Sequence, residues 1–246
     1  MTVVKKRSIV ADSRRTAKGV AIREGGKAPH PLRGARFVAG VAQASQLPSA
    51  GAPEIAFAGR SNSGKSSAIN ALADHSGLAY ASRTPGRTQQ INFFALRGGA
   101  LVADLPGYGY AAVAKALKRD WQEFLWRYLT TRDNLVALVL LVDARRGLTE
   151  FDAAVLGAFV PSGRPVLLLA TKADKLGTAA QREALATIVE QLQGVLPIGA
   201  ANVTALLFSA TTRLGVAQAE TSIAAWLPAG DAPKKGPAVK GSDAGP

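Results

Sequence analysis

The stretch Gly59-Arg60-Ser61-Asn62-Ser63-Gly64-Lys65-Ser66-Ser67 fits G-x-x-x-x-G-K-[ST] from Gly59 to Ser66. A loop of this pattern turns backbone N–H groups toward a di- or triphosphate, and its glycines permit an approach that side chains would block. The setting is the required one. The apolar run Ile55-Ala56-Phe57-Ala58 reads as a strand before the loop, and a helical stretch starts at Lys65. The positive end of that helix then faces the anion. In this chemistry Lys65 reaches the β- and γ-phosphates and the Ser66 hydroxyl ligates Mg²⁺. An ordinary strand-to-helix turn is the competing reading, but it leaves the coincidence of pattern and setting unexplained. ATPases and GTPases share this loop, so it does not choose the base.

Asp104-Leu105-Pro106-Gly107 matches D-x-x-G at the end of a second apolar run. A carboxylate at a strand end can hold Mg²⁺ through water, and the Gly107 N–H can meet a γ-phosphate present only in the triphosphate. Gly107 to Ala112 also fits the dinucleotide-binding fingerprint G-x-G-x-x-[GA]. That fingerprint requires an acidic strand end about 20 residues later, whereas Trp126 to Thr131 lie within a helical pattern, so the dinucleotide reading fails. Thr171-Lys172-Ala173-Asp174 follows the run Val166 to Ala170. A carboxylate there accepts from the ring N1–H and the exocyclic amine of guanine, a donor pair adenine lacks. The aliphatic stem of Lys172 can cover the base. Phe208-Ser209-Ala210 closes the last apolar run, where backbone N–H groups can bind guanine O6.

The elements that must position these segments alternate along the chain. Strands are expected at 54–58, 91–96, 100–104, 135–142, 166–170 and 203–208, and helices at 65–73, 112–130 and near 150–160, 178–193 and 213–226. That order predicts an α/β three-layer fold, a mostly parallel six-stranded sheet with helices on both faces. Trp121, Phe124, Leu125 and Tyr128 share one helical face and read as core. Residues 75–90, rich in Ser, Arg, Thr, Pro and Gly, form a long loop of the kind that carries function.

The net charge of +13 is unevenly distributed. Residues 1–36 hold ten Lys or Arg against Asp12 and Glu24, a net +8. With Gly25, Gly26, Pro29 and Pro31 breaking any helix, they read as a disordered arm attracted to nucleic acid. A solubilising extension and an Arg-rich transit peptide are the other readings. The domain then runs from 37 to 228, and 229–246 is expected to be a disordered tail. The absence of cysteine excludes disulfides and thiolate metal sites. The apolar runs are too short to span a bilayer, so a soluble, cytoplasmic protein with no membrane partner is expected.

The segments PEIAFAGRSNSGKSS, TPGRTQQINFF, DLPGYGYA, TKAD and FSA, in this order over roughly 37 to 227, resemble the translation-factor class of P-loop GTPases with the Ras-like fold. Within that class they resemble the EngB family of ribosome-biogenesis GTP-binding proteins. The resemblance implies a monomeric, slow GTPase using GTP/GDP and Mg²⁺. It would act on the large ribosomal subunit precursor and its rRNA and be needed for normal cell division and septation. It adds Gly86, Arg87, Thr88, Gln89 and Gln90 to the nucleotide-contacting set, with Thr88 as the switch threonine that ligates Mg²⁺ and senses the γ-phosphate. Lys65, Thr88 and Gly107 would then carry catalysis. Thr171 departs from the Asn that most GTPases carry, and Tyr108 stands where many have a water-orienting glutamine. The alternative is a constitutive rRNA-binding assembly protein in which nucleotide only stabilises the fold.

Overall fold

A computed structural model describes residues 30–49, 51–80, 90–108, 115–196 and 202–227, with the backbone alone for 115–122. Among them seven strands form one sheet: β1 (Arg36–Val41), β2 (Glu54–Gly59), β3 (Ile91–Ala95), β4 (Leu101–Asp104), β5 (Leu135–Asp143), β6 (Val166–Thr171) and β7 (Val203–Leu207). Their order is β1-β3-β4-β2-β5-β6-β7. β4, β2, β5, β6 and β7 run parallel, while β3 is antiparallel to both its neighbours.

Among the described residues five α-helices cover the sheet: α1 (Lys65–Ala73), α2 (Lys115–Thr131), α3 (Glu150–Phe159), α4 (Thr178–Val195) and α5 (Val216–Ala224). The strands feed both layers by alternation. Ile55 and Phe57 of β2 join Ala68, Ile69 and Leu72 of α1 and Val216, Ala219 and Ile223 of α5. Ala56 and Ala58 join Tyr128 of α2, Leu156 and Phe159 of α3 and Ile188 and Leu192 of α4. Apolar burial on both faces explains why β5 and β6 read as unbroken Leu, Val and Ala runs. Phe124, Leu125 and Tyr128 pack on the core as expected; the Trp121 side chain and residues 112–114 lie outside the described set.

Two expectations need correction. The sheet has seven strands rather than six, because Arg36–Val41 pairs with β3 at the sheet edge. The basic arm does not extend to residue 36. Leu32 is 1% exposed within the α1/α5 core, His30 Nδ1 lies 2.9 Å from Glu220 of α5, and Arg33 pairs with Asp74 just past α1. Burial of the one large apolar side chain in this segment outweighs the positive charge around it. Residues 1–29 and 228–246 lie outside the described residues.

Candidate nucleotide-binding site

The parallel strands bring the expected segments to one end of the sheet. β2 leads into the phosphate loop, β4 ends at Asp104, β6 ends at Thr171, and β7 leads into Phe208 and Ser209. The β2–β4 and β5–β6 registers place Phe57 beside Asp104 and Asp143 beside Thr171. Sites of open α/β sheets form at such carboxyl ends.

Gly64 is the N-cap of α1, with φ 93°, and no side chain caps the helix. The first-turn N–H groups of Lys65, Ser66 and Ser67 are thus left for an anion. Lys65 instead donates its ammonium to Asp104 Oδ1, with both side chains largely buried. Phosphates entering the loop would take over this ammonium and free the carboxylate.

Gly107 passes so close to the loop that a Cβ there would lie 2.9 Å from Ser61 Cα. Only glycine fits without moving one of the two backbones. Ser61 N–H donates to the Tyr108 carbonyl at 2.9 Å, which joins the two segments. The Tyr108 ring stacks on Phe151 at 5.2 Å, and its hydroxyl donates to Asp152 Oδ1 at 2.5 Å. Burial first, then the Asp152 charge, pushes the Tyr108 hydroxyl well above the usual tyrosine range. Asp152 also forms the capping box of α3 with Thr149. The side chain after Gly107 is therefore committed to the start of α3.

Thr171, which lacks the amide of the usual Asn, donates its hydroxyl to the carbonyls of Ser63 and Val142. Lys172 has a left-handed backbone, φ 58°, and its ammonium donates to the Asn62 carbonyl at 2.6 Å. The base segment is thus tied to the phosphate loop at two successive residues. Asp174 Oδ1 accepts from the Ser209 hydroxyl at 2.7 Å, and the Ser209 hydroxyl accepts in turn from Thr212 N–H at 3.1 Å. The Ser209 bond holds the Asp174 carboxyl below its ordinary pKa, keeping it the acceptor that guanine needs. Ala173 N–H donates to the Phe208 carbonyl at 3.2 Å, which joins TKAD to FSA.

Some expected residues contribute differently. Leu105, Phe208 and Ala173 have buried side chains, so only their backbones can serve a nucleotide, and Ala210 packs on the α1/α5 core. Pro106 is half-buried and Ser67 exposed beside these segments. The Gln90 side chain lies against Gly40 of β1. The edge strand absent from the sequence reading supplies its neighbour. Gly86, Arg87, Thr88 and Gln89 lie outside the described residues. Arg60 and Asn62 line a 260 Å³ cleft with Asp143, Arg145, Arg146 and Lys172. The sequence reading missed Asp143 and Asp152. An acidic residue ending the apolar β5, and the T-x-x-D capping signal at 149–152, were the available cues.

A Ras-like three-layer sheet with a phosphate loop after β2, D-x-x-G after β4 and a base segment after β6 defines the class of P-loop GTPases. Residues 54–172 match the family described as 50S ribosome-binding GTPase. The chain is 48% identical over 204 residues to a probable GTP-binding protein EngB of Aromatoleum aromaticum, covering 82% of this chain and 93% of that protein. It is 47% identical over 196 residues to one of Azoarcus sp., covering 80% and 92%. It also superposes on the crystal structure of a probable GTP-binding protein EngB with a TM-score of 0.56, at 20% identity, covering 71% of this chain and 98% of that one. The chain belongs to the EngB family. No helix among the described residues is long and apolar enough to cross a membrane.

Proposed function

We propose that this chain is a guanine-nucleotide switch: it binds GTP and GDP with Mg²⁺, hydrolyses GTP slowly, and acts as a cytoplasmic monomer in assembly of the large ribosomal subunit. Normal cell division and septation would depend on it through that assembly. The carrying observation is the Asp174 carboxylate, held in place by the Ser209 hydroxyl on a segment that Thr171 and Lys172 join to the phosphate loop. The ribosomal partner is supported by the family description over 54–172 and by the charge of the N-terminal arm.

Ser66 and Asp104 offer hard oxygen donors that would hold Mg²⁺, and the family resemblance would add Thr88 in the triphosphate state. When bound, the ion neutralises charge on the β- and γ-phosphate oxygens. Lys65 moves its ammonium from Asp104 to the phosphates. Gly107 would offer its N–H to the γ-phosphate. Tyr108 is engaged with Asp152 and Phe151 rather than free to position a water, which supports the reading of slow hydrolysis.

Co-sedimentation with large-subunit precursors in the presence of a non-hydrolysable GTP analogue or GDP tests the switch. Stronger binding with the analogue is expected. Equal binding in both states would replace the switch with constitutive RNA binding.

A further inference from the structure

Asp143 belongs to none of the nucleotide motifs, yet the β5–β6 register sets it directly beside Thr171. Its Oδ2 lies 3.1 Å from Lys172 Nζ, the ammonium that also donates to the Asn62 carbonyl of the phosphate loop. Arg145 grips the same carboxylate from the other side. Its Nε is 2.9 Å from Oδ1 and its terminal nitrogen 2.7 Å from Oδ2, while its backbone N–H donates to Oδ1 at 3.1 Å. The Asp143 side chain is 9% exposed, so it is a largely buried anion, while the Arg145 and Lys172 side chains that meet it are 43% and 32% exposed.

Lys172 is the long, flexible member of this group. A free lysine stem samples many rotamers and loses that freedom whenever it is held in one place. Here it leaves a backbone already in the left-handed region and is caught at its tip by one carboxylate and one carbonyl. The stem between those fixed ends is the part expected to cover the base.

We propose that Asp143 is a positioning residue for guanine-nucleotide binding, which holds the Lys172 ammonium against the Asn62 carbonyl and so fixes the Lys172 stem over the base. The proposal rests on the guanine-nucleotide reading given above. Burial alone would raise the Asp143 pKa, but the bonds from Arg145 and Lys172 take it well below the ordinary carboxylate range. The anchor therefore stays charged throughout neutral pH.

A double-mutant cycle on GDP affinity in the full chain tests this, using Asp143→Asn, Lys172→Met and both together. Methionine keeps an apolar stem and removes the ammonium. Each single change should weaken GDP by about 5- to 30-fold, chiefly through faster dissociation, and the pair should do little more than either alone. Full additivity would make Asp143 a structural residue and overturn the proposal. So would Lys172→Met binding GDP like the parent, an outcome that decides the matter even if Asp143→Asn does not fold. A parent chain that binds ADP as well as GDP would defeat the guanine reading itself, and this proposal with it. Unchanged GDP affinity in Asp143→Asn would defeat only the present one.

Discussion

Thr171 on β6 donates its hydroxyl to the Ser63 carbonyl within the phosphate loop, across 108 positions of sequence. The contact is buried and also engages the Val142 carbonyl, so a hydroxyl here substitutes for the amide that most GTPases use.

Thr171→Val keeps the shape of the side chain and removes the donor from the buried Ser63 carbonyl. Leaving a buried acceptor unpaired costs about 1 to 3 kcal/mol, which predicts roughly 5- to 150-fold weaker GDP binding. Thr171→Ser should stay close to the parent. Titration with a fluorescent GDP analogue measures both, and equal affinity of the Val and Ser variants would remove the hydroxyl from the coupling.

Truncation should show two distinct boundaries. Deleting residues 1–29 should leave unfolding free energy unchanged, whereas deleting 1–36 removes the buried Leu32 and the partner of Glu220, which is 1% exposed. Loss of a buried leucine costs about 2 to 5 kcal/mol, so Leu32→Ala in the full chain should reproduce much of the second effect. Urea unfolding of the three proteins decides it; a 1–36 deletion as stable as the 1–29 deletion would contradict the packing.

A third prediction concerns alkaline pH. Tyr128 is 2% exposed and donates to Glu54 Oε2 at 2.8 Å. Burial, then the Glu54 charge, pushes its pKa well above 10.0. In the unfolded chain it ionises near its ordinary value, so its contribution is complete below pH 10.0 and is lost as pH rises toward the folded value. The slope is about 1.4 kcal/mol per pH unit for one group. Tyr128→Phe should lose about 0.5 to 1.5 kcal/mol at neutral pH with the hydrogen bond, but decline less steeply above pH 10. Urea unfolding of parent and variant across pH 9 to 11 would expose a wrong assignment as parallel curves.

The phosphate loop, Asp104-x-x-Gly107 and the TKAD segment were legible because each is a run of neighbours whose spacing is itself the signal. β1 was not. It lies at the sheet edge, its register slips between Phe37 and Ala39, and Phe37 is 60% exposed, so no clean alternation marks it. Leu32 was hidden in a segment judged by its average charge. Asp143 was passed over for a different reason, since its meaning lies in the register that sets it beside Thr171 of another strand. Asp174 and Ser209 were each singled out by sequence, but that one hydroxyl holds the other carboxylate emerged only from the folded chain.

The close passage of Gly107 over Ser61 has a consequence for robustness. Repulsion between two backbones is indifferent to ionic strength and to proton concentration, unlike the ion pairs of Asp143 with Lys172 and Arg145. The mechanical link between the Asp104 segment and the phosphate loop should therefore hold in brine or dilute buffer alike, while the electrostatic link to the base segment weakens as salt rises. One protein thus carries two transmissions from the same loop, one insensitive to its ionic surroundings and one that those surroundings can tune.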